Sequence, residues 1–66
     1  MNITLNGQGQ EADAGCTVAS LVEELGFADR PCAVEVNGEL VTKSCHSERV
    51  LSEGDAVEIV TLVGGG

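Results

Sequence analysis

The amino-acid sequence predicts an α+β domain in which one helix covers one face of a mixed sheet of four or five strands. Three patterns support this: period-two alternation at the start of the chain, one short amphipathic helix near residue 18, and a β-branched strand over residues 56–63. Phe27 is the sole aromatic residue, so the core must be built from aliphatic side chains. We expect residues 1–63 to form the domain and residues 64–66 a flexible tail.

The chain opens with a strand, a turn and a second strand. Apolar and polar residues alternate over residues 1–6, which is the period of a half-buried strand. Gly7-Gln8-Gly9 is the expected turn. Residues 10–14 would return as a weaker, polar strand at or near the sheet edge, and Gly15 ends it.

Helical periodicity begins directly after Thr17, whose hydroxyl can accept a hydrogen bond from an unpaired amide of the first turn. Apolar residues recur at i, i+3, i+4 and i+7, namely Val18, Leu21, Val22 and Leu25. Gly26 can adopt the left-handed conformation that ends many helices. The pattern predicts a helix over residues 18–25, stabilised mainly by its packed apolar face because helices this short are marginal alone.

A second hairpin is predicted after the helix. Residues 33–36 alternate, and Asn37-Gly38 follows them directly. This dipeptide tolerates the positive φ angles of a type I′ turn, so residues 39–41 would form the returning strand.

The rest of the chain leads into the last strand. Residues 42–49 show no periodicity and are expected to be irregular, with room for one helical turn. Val50 and Leu51 would re-enter the core. Residues 52–55 have turn chemistry, and Asp55 is expected there as a turn residue without a partner for acid–base chemistry.

This element order fits a β-grasp arrangement if the first and last strands lie side by side in parallel. By alternation, the side chains facing the helix would be Ile3, Leu5, Val34, Val36, Val57 and Ile59. Glu58, Val60 and Leu62 would lie on the opposite, open face of the sheet. We expect this open face to dock a partner protein.

Eleven acidic side chains and three basic ones give the chain a net charge of −8. This charge repels phosphate backbones and anionic lipids, so neither nucleic acid nor a membrane surface is an expected partner. A domain of 66 residues leaves little room for an enclosed active site, so an enzyme is not expected. The sequence has no apolar stretch long enough to span a membrane and no signal-peptide pattern, which together predict a cytoplasmic protein.

Cys16, Cys32 and Cys45 are odd in number and lack C-x-x-C spacing, which argues against a disulfide scaffold and a structural zinc site. Reduced thiols in the cytosol are expected, with Cys16 packed as an inert side chain. His46 has only Cys45 beside it as a potential ligand, and adjacent residues rarely chelate one ion well. We therefore predict a surface-loop histidine and no bound metal.

The chain ends in a β-branched run followed directly by Gly64, Gly65 and Gly66. Glycine has no side chain, so such a tail can thread a narrow channel, and three extended residues reach about 10 Å. Frayed ends and linker remnants also contain glycines, but here they follow the strand without a spacer. The pattern predicts that Gly64 and Gly65 pass into a partner's pocket and present the carboxylate of Gly66 there.

Four stretches form a combination that is more specific than any one of them: the short opening strand, residues 36–41, residues 51–60 and residues 63–66. Together they resemble the ThiS family of thiamine-biosynthesis sulfur carriers, which is close to the small subunit of molybdopterin synthase and to ubiquitin. The resemblance covers the whole chain. Residues 41–46 depart from the family pattern, which commonly has a basic residue, often after proline, soon after the second hairpin.

The resemblance implies a carrier function on a β-grasp fold. In the family, an adenylyltransferase (ThiF-like) uses ATP to form an acyl-adenylate on the terminal glycine, here Gly66, because an ionised carboxylate is a poor electrophile. Sulfur from a persulfide donor displaces AMP, and the resulting thiocarboxylate supplies sulfur to a thiazole synthase (ThiG-like). The chain would thus be a carrier and cosubstrate without a bound cofactor, and ATP would be used by the partner.

Alternative functions remain open at this point. A sulfur carrier could serve another pathway, such as molybdopterin or cysteine formation, and a ubiquitin-like modifier would join Gly66 to lysine side chains. A plain interaction module would need no glycines. The sequence does not distinguish the pathways, because the sulfur acceptor is selected by partner proteins.

Overall fold

The computed structural model of the protein describes residues 1–61. Its elements, in chain order, are β1 (Asn2–Leu5), β2 (Gln8–Glu11), α1 (Val18–Glu24), β3 (Cys32–Val36), β4 (Glu39–Val41), a 3-10 turn (Lys43–Cys45) and β5 (Ala56–Thr61). The predicted boundary between domain and tail at residue 63 lies outside the described residues and stays a prediction. No helix within residues 1–61 is long and apolar enough to cross a membrane.

The five strands form one sheet with the order β2-β1-β5-β3-β4. β1 and β5 run parallel, and the other neighbouring strands are antiparallel. The last strand therefore occupies the centre of the sheet. This confirms the predicted α+β fold, with one helix on a mixed sheet of five strands.

The core lies between α1 and one face of the sheet. Val18, Leu21 and Val22 are buried on the helix. The buried side chains of the strands are Ile3, Val34, Val36, Val41, Val57 and Ile59. The predicted helix-facing set is confirmed, except that Leu5 is only half-buried at the end of β1.

Of the two residues predicted to re-enter the core, Leu51 is buried but Val50 is 54% exposed. Thr17 and Val50 form an isolated antiparallel bridge, and the Leu51 amide donates to the Cys16 carbonyl at 2.8 Å. The segment is therefore extended, and consecutive side chains of an extended segment point in opposite directions. The prediction for Val50 was wrong for this reason.

The helix begins with the predicted cap. The Thr17 hydroxyl accepts a hydrogen bond from the Ser20 amide at 3.1 Å, and the Ser20 hydroxyl accepts one from the Thr17 amide at 2.9 Å. This reciprocal pair is a capping box. The helix ends at Glu24, slightly before the predicted end, and Gly26 follows in the predicted left-handed conformation with φ of +83°.

Both hairpins turn through an Asn-Gly pair. The predicted turn at Asn37-Gly38 is confirmed by φ angles of 53° and 82°. The first turn is Asn6-Gly7, with φ angles of 51° and 84°, and not Gly7-Gln8-Gly9. β2 accordingly starts at Gln8, so the strand predicted over residues 10–14 was placed too late. The Asn-Gly pair sets the turn because asparagine tolerates the left-handed region and glycine adopts it freely.

Candidate functional site

The asparagine side chains of the two turns hold β5 from both sides. Asn6 Oδ1 accepts a hydrogen bond from the Ile59 amide at 2.9 Å, and Asn6 Nδ2 donates to the Ile59 carbonyl at 3.3 Å. On the other side, Asn37 Oδ1 accepts from the Ala56 amide at 2.9 Å. The strand that leads towards the glycine end is therefore fixed by side chains as well as by its two neighbouring strands.

The open face of the sheet, opposite α1, contains two of the three residues predicted to dock a partner. Glu58 and Val60 are both exposed on β5, and Val60 is 58% exposed. The third, Leu62, lies outside the described residues, as do residues 64–66. The structure thus places Glu58 and Val60 on one face, and their docking role stays a prediction.

Two further residues of the open face were missed by sequence reasoning. Glu35 lies directly opposite Glu58 in the β3–β5 register, and Leu40 of β4 lies opposite Glu35. Leu40 is 64% exposed. The two-residue turn at Asn37-Gly38 already implies the pairing of Leu40 with Glu35, whereas the pairing of Glu35 with Glu58 joins strands that are distant in sequence. The open face therefore has two adjacent carboxylates with exposed apolar side chains beside them.

Asp55 organises the turn that precedes β5. The Ser52 amide donates to Asp55 Oδ2 at 2.8 Å, and Asn37 Nδ2 donates to Asp55 Oδ1 at 3.0 Å. The Ser52 hydrogen bond, followed by the Asn37 hydrogen bond, holds the pKa of Asp55 below its ordinary value. This agrees with the prediction of a turn residue, and the carboxylate also connects the turn to the second hairpin.

His46 is not the predicted surface-loop histidine, because its side chain is buried and only 8% exposed. It directly follows the 3-10 turn, which fits the single helical turn expected in this segment. His46 Nε2 lies 3.1 Å from the Val41 carbonyl oxygen, so Nε2 bears the hydrogen and donates it. The His46 carbonyl accepts a hydrogen bond from the Ala19 amide at 2.9 Å. The bond to Ala19 holds the segment against α1 and the bond to Val41 holds the ring at the end of β4, and the absence of periodicity gave no indication of either.

The three cysteines are separate and free. Cys16 and Cys32 are half-buried, and Cys45 is exposed. The Cys16 thiol lies 3.2 Å from the Ser20 hydroxyl beside the helix cap and packs against the core, as predicted for a structural side chain. Within residues 1–61, no group of three or more His, Cys, Asp or Glu side chains is arranged to hold a metal ion.

The ThiS family model matches residues 3–66. The chain belongs to the ThiS family. Sulfur carrier protein ThiS of Escherichia coli is 27% identical over 66 residues, and the match covers all of both chains. The crystal structure of the thiamine biosynthesis protein ThiS from Geobacter metallireducens matches with a TM-score of 0.83 and 33% identity over the full length of both chains. The predicted family and its β-grasp fold are confirmed.

Two thiazole synthases also contain a stretch similar to this ThiS-family chain. The synthases of Paramagnetospirillum magneticum and Magnetococcus marinus are 41% and 42% identical to it over 66 residues. The match covers the whole chain but only 20% of each synthase. The chain thus spans a fifth of the length of these relatives.

Proposed function

We propose that this ThiS-family chain is a sulfur carrier of thiamine biosynthesis and that its Gly66 carboxylate is the site of sulfur attachment. The observation that supports this most strongly is the family match, which extends through the glycine end to residue 66. The full-length similarity to the sulfur carrier of Escherichia coli supports the same function. The chain is accordingly a cosubstrate and not an enzyme, and ATP is bound by its partner.

Activation must precede sulfur transfer, because an ionised carboxylate is a poor electrophile. An adenylyltransferase (ThiF-like) joins a Gly66 carboxylate oxygen to the α-phosphate of ATP and releases pyrophosphate. The terminal sulfur of a persulfide donor then attacks the acyl carbon and AMP leaves. The new bond is the C–S bond, and a second thiol then cleaves the S–S bond that the donor brought, forming a disulfide with the donor's sulfur and leaving a thiocarboxylate on Gly66.

Two groups of residues have distinct roles towards the partner enzymes in this proposal. Gly64 and Gly65 pass through a channel of the adenylyltransferase that has no room for side chains. Glu58, Val60 and Leu62 dock the open face on the partner. The likeness to a fifth of two thiazole synthases supports a thiazole synthase (ThiG-like) as the enzyme that accepts the sulfur.

The proposal is tested with a cognate adenylyltransferase by ATP–pyrophosphate exchange, followed by intact mass after a persulfide donor is supplied. The mass should rise by the difference between sulfur and oxygen. Adding one residue after Gly66 moves the carboxylate by about 3.5 Å, so exchange should collapse. Gly65→Ala should also impair exchange, because its methyl group obstructs the channel while the fold is unchanged.

Normal adenylation and thiocarboxylate formation by a variant that lacks Gly65 and Gly66 would contradict the proposal. Conjugates with lysines of other proteins would instead indicate a ubiquitin-like modifier. Supplying the thiocarboxylate form to a cognate thiazole synthase tests the pathway, since a molybdopterin or cysteine carrier would not support thiazole formation.

A further inference from the structure

A groove of about 430 Å³ lies on the helix side of the molecule, away from the open sheet face. We call it the helix-side groove. Its walls come from α1, from the loop between α1 and β3, and from the segment around the 3-10 turn. The residues on which the argument depends are Val22, Phe27, Arg30, Pro31, Lys43 and His46.

The composition of the helix-side groove differs from that of the whole chain. The sequence has one aromatic residue, one proline and one histidine, and all three line the groove. Two of the three basic residues, Arg30 and Lys43, line it together with one acidic residue, Glu23, so the groove has a local excess of basic side chains in a chain with a net charge of −8. Aromatic and arginine side chains are enriched where proteins bind partners, so this convergence has the character of a recognition site.

The base of the groove is held in place by the core. Val22 is 6% exposed and His46 is 8% exposed. The His46 ring is fixed by its hydrogen bond to the Val41 carbonyl, and Phe27 packs against the core cluster. An occupant would therefore meet a surface that is already formed, which lowers the entropy lost on binding.

We propose that the helix-side groove docks an acidic segment of a partner protein, with an apolar side chain between Val22 and Phe27 and carboxylates near Arg30 and Lys43. A nucleic acid is a poor occupant because two basic side chains are too few for the many phosphate contacts by which proteins bind nucleic acid. A small molecule would be poorly enclosed, since the groove is open to solvent on a domain of 66 residues. The site is separate from Glu58 and Val60, so a partner can occupy it while the open sheet face is covered.

The inference is tested by NMR titration of the ¹⁵N-labelled full chain with a capped peptide of alternating aspartate and leucine. The matched control peptide has asparagine at every aspartate position. Saturable shift changes should concentrate at Val22, Phe27 and Lys43 and not at Glu58 or Val60. The asparagine peptide should bind about tenfold more weakly, near the upper limit for the loss of two exposed ion pairs.

Two variants distinguish peptide binding in the helix-side groove from nonspecific binding elsewhere on the surface. The double variant Arg30→Gln/Lys43→Gln changes two exposed side chains. It should weaken binding of the aspartate peptide by the same factor, and the NMR signals of residues outside the groove should be unchanged. Leu40→Ala, which removes an exposed apolar side chain on the open sheet face, should leave peptide binding unchanged. The inference is overturned if neither peptide gives saturable shifts, if both bind equally, or if inorganic phosphate alone reproduces the shifts. None of these outcomes depends on adenylation of Gly66.

Discussion

At the scale of single residues, Asn6 combines two roles that are usually divided between residue types. Its backbone adopts a φ of 51°, and its side chain bonds both the amide and the carbonyl of Ile59. Glycine could supply the backbone conformation but not the hydrogen bonds. Asparagine therefore both forms the turn and ties it to the central strand.

Substitution of Asn6 should separate these roles. Asn6→Gly keeps the left-handed conformation and loses the two hydrogen bonds, so it should lower the free energy of unfolding by about 1–2 kcal/mol. Asn6→Ala should cost about 1 kcal/mol more, because alanine must also adopt a positive φ. Urea denaturation of both variants measures the difference. Equal destabilisation by glycine and alanine would show that the backbone conformation contributes nothing.

Asp55 should make stability depend on pH in the acid range. Its pKa is lowered in the folded state by the Ser52 amide and then by Asn37, so its contribution is present above the unfolded pKa of about 3.9. It is lost as the pH falls through the lower folded pKa. Asp55→Ala should lower the free energy of unfolding by about 1 kcal/mol at pH 7, and this difference from the wild type should become smaller towards pH 3. Denaturation curves at both pH values check this, and a constant difference would contradict it.

At the scale of elements, α1 has only seven residues and depends on its packed face and its cap. Leu21, which is 1% exposed, is the central contact of that face. Leu21→Ala should lower the free energy of unfolding by about 2–5 kcal/mol, since it removes apolar contacts and leaves a cavity. Leu40→Ala is the matched control and should change it by less than about 0.5 kcal/mol. Similar values for both variants would mean that α1 does not stabilise the core.

The elements were predictable where local chemistry determines them. Thr17, Gly26 and Asn37-Gly38 specify a cap, a helix end and a turn through their own backbone preferences. The first turn was predicted too late in the chain, because Gly7 and Gly9 together indicate a turn centred on Gln8, whereas the Asn6-Gly7 pair forms it. The exposure of His46 was mispredicted for a different reason: its bonds to Ala19 of α1 and Val41 of β4 hold the ring in the interior, and a segment without periodicity does not reveal them.

At the scale of the whole molecule, the net charge of −8 includes a like-charge pair on the proposed docking surface. Glu35 and Glu58 lie directly opposite each other on adjacent strands. Such a pair destabilises the free domain, and a basic partner surface would reverse its effect. Sequence reasoning identified Glu58 but not Glu35, because the partner of a central strand depends on the topology of the whole sheet.

Glu58→Gln should therefore have opposite effects on stability and on binding. The free energy of unfolding should rise by about 0.2–1 kcal/mol, because the repulsion from Glu35 is removed. Binding to the cognate adenylyltransferase should weaken, and its dependence on salt should decrease. Glu24→Gln, an exposed position on α1 and so on the other side of the sheet, is the charge-matched control and should leave binding unchanged. Weaker binding by both variants to the same degree would indicate a general effect of net charge instead of a docking surface.

The central place of β5 also has a mechanical consequence. Any tension applied to the chain beyond Thr61 is transmitted along the axis of β5, which is bonded to β1 on one side and to β3 on the other. Such a pull loads the hydrogen bonds of both neighbours in shear, so they must fail together and cannot be peeled apart one at a time. A partner can therefore pull on the end of the chain without unfolding the domain.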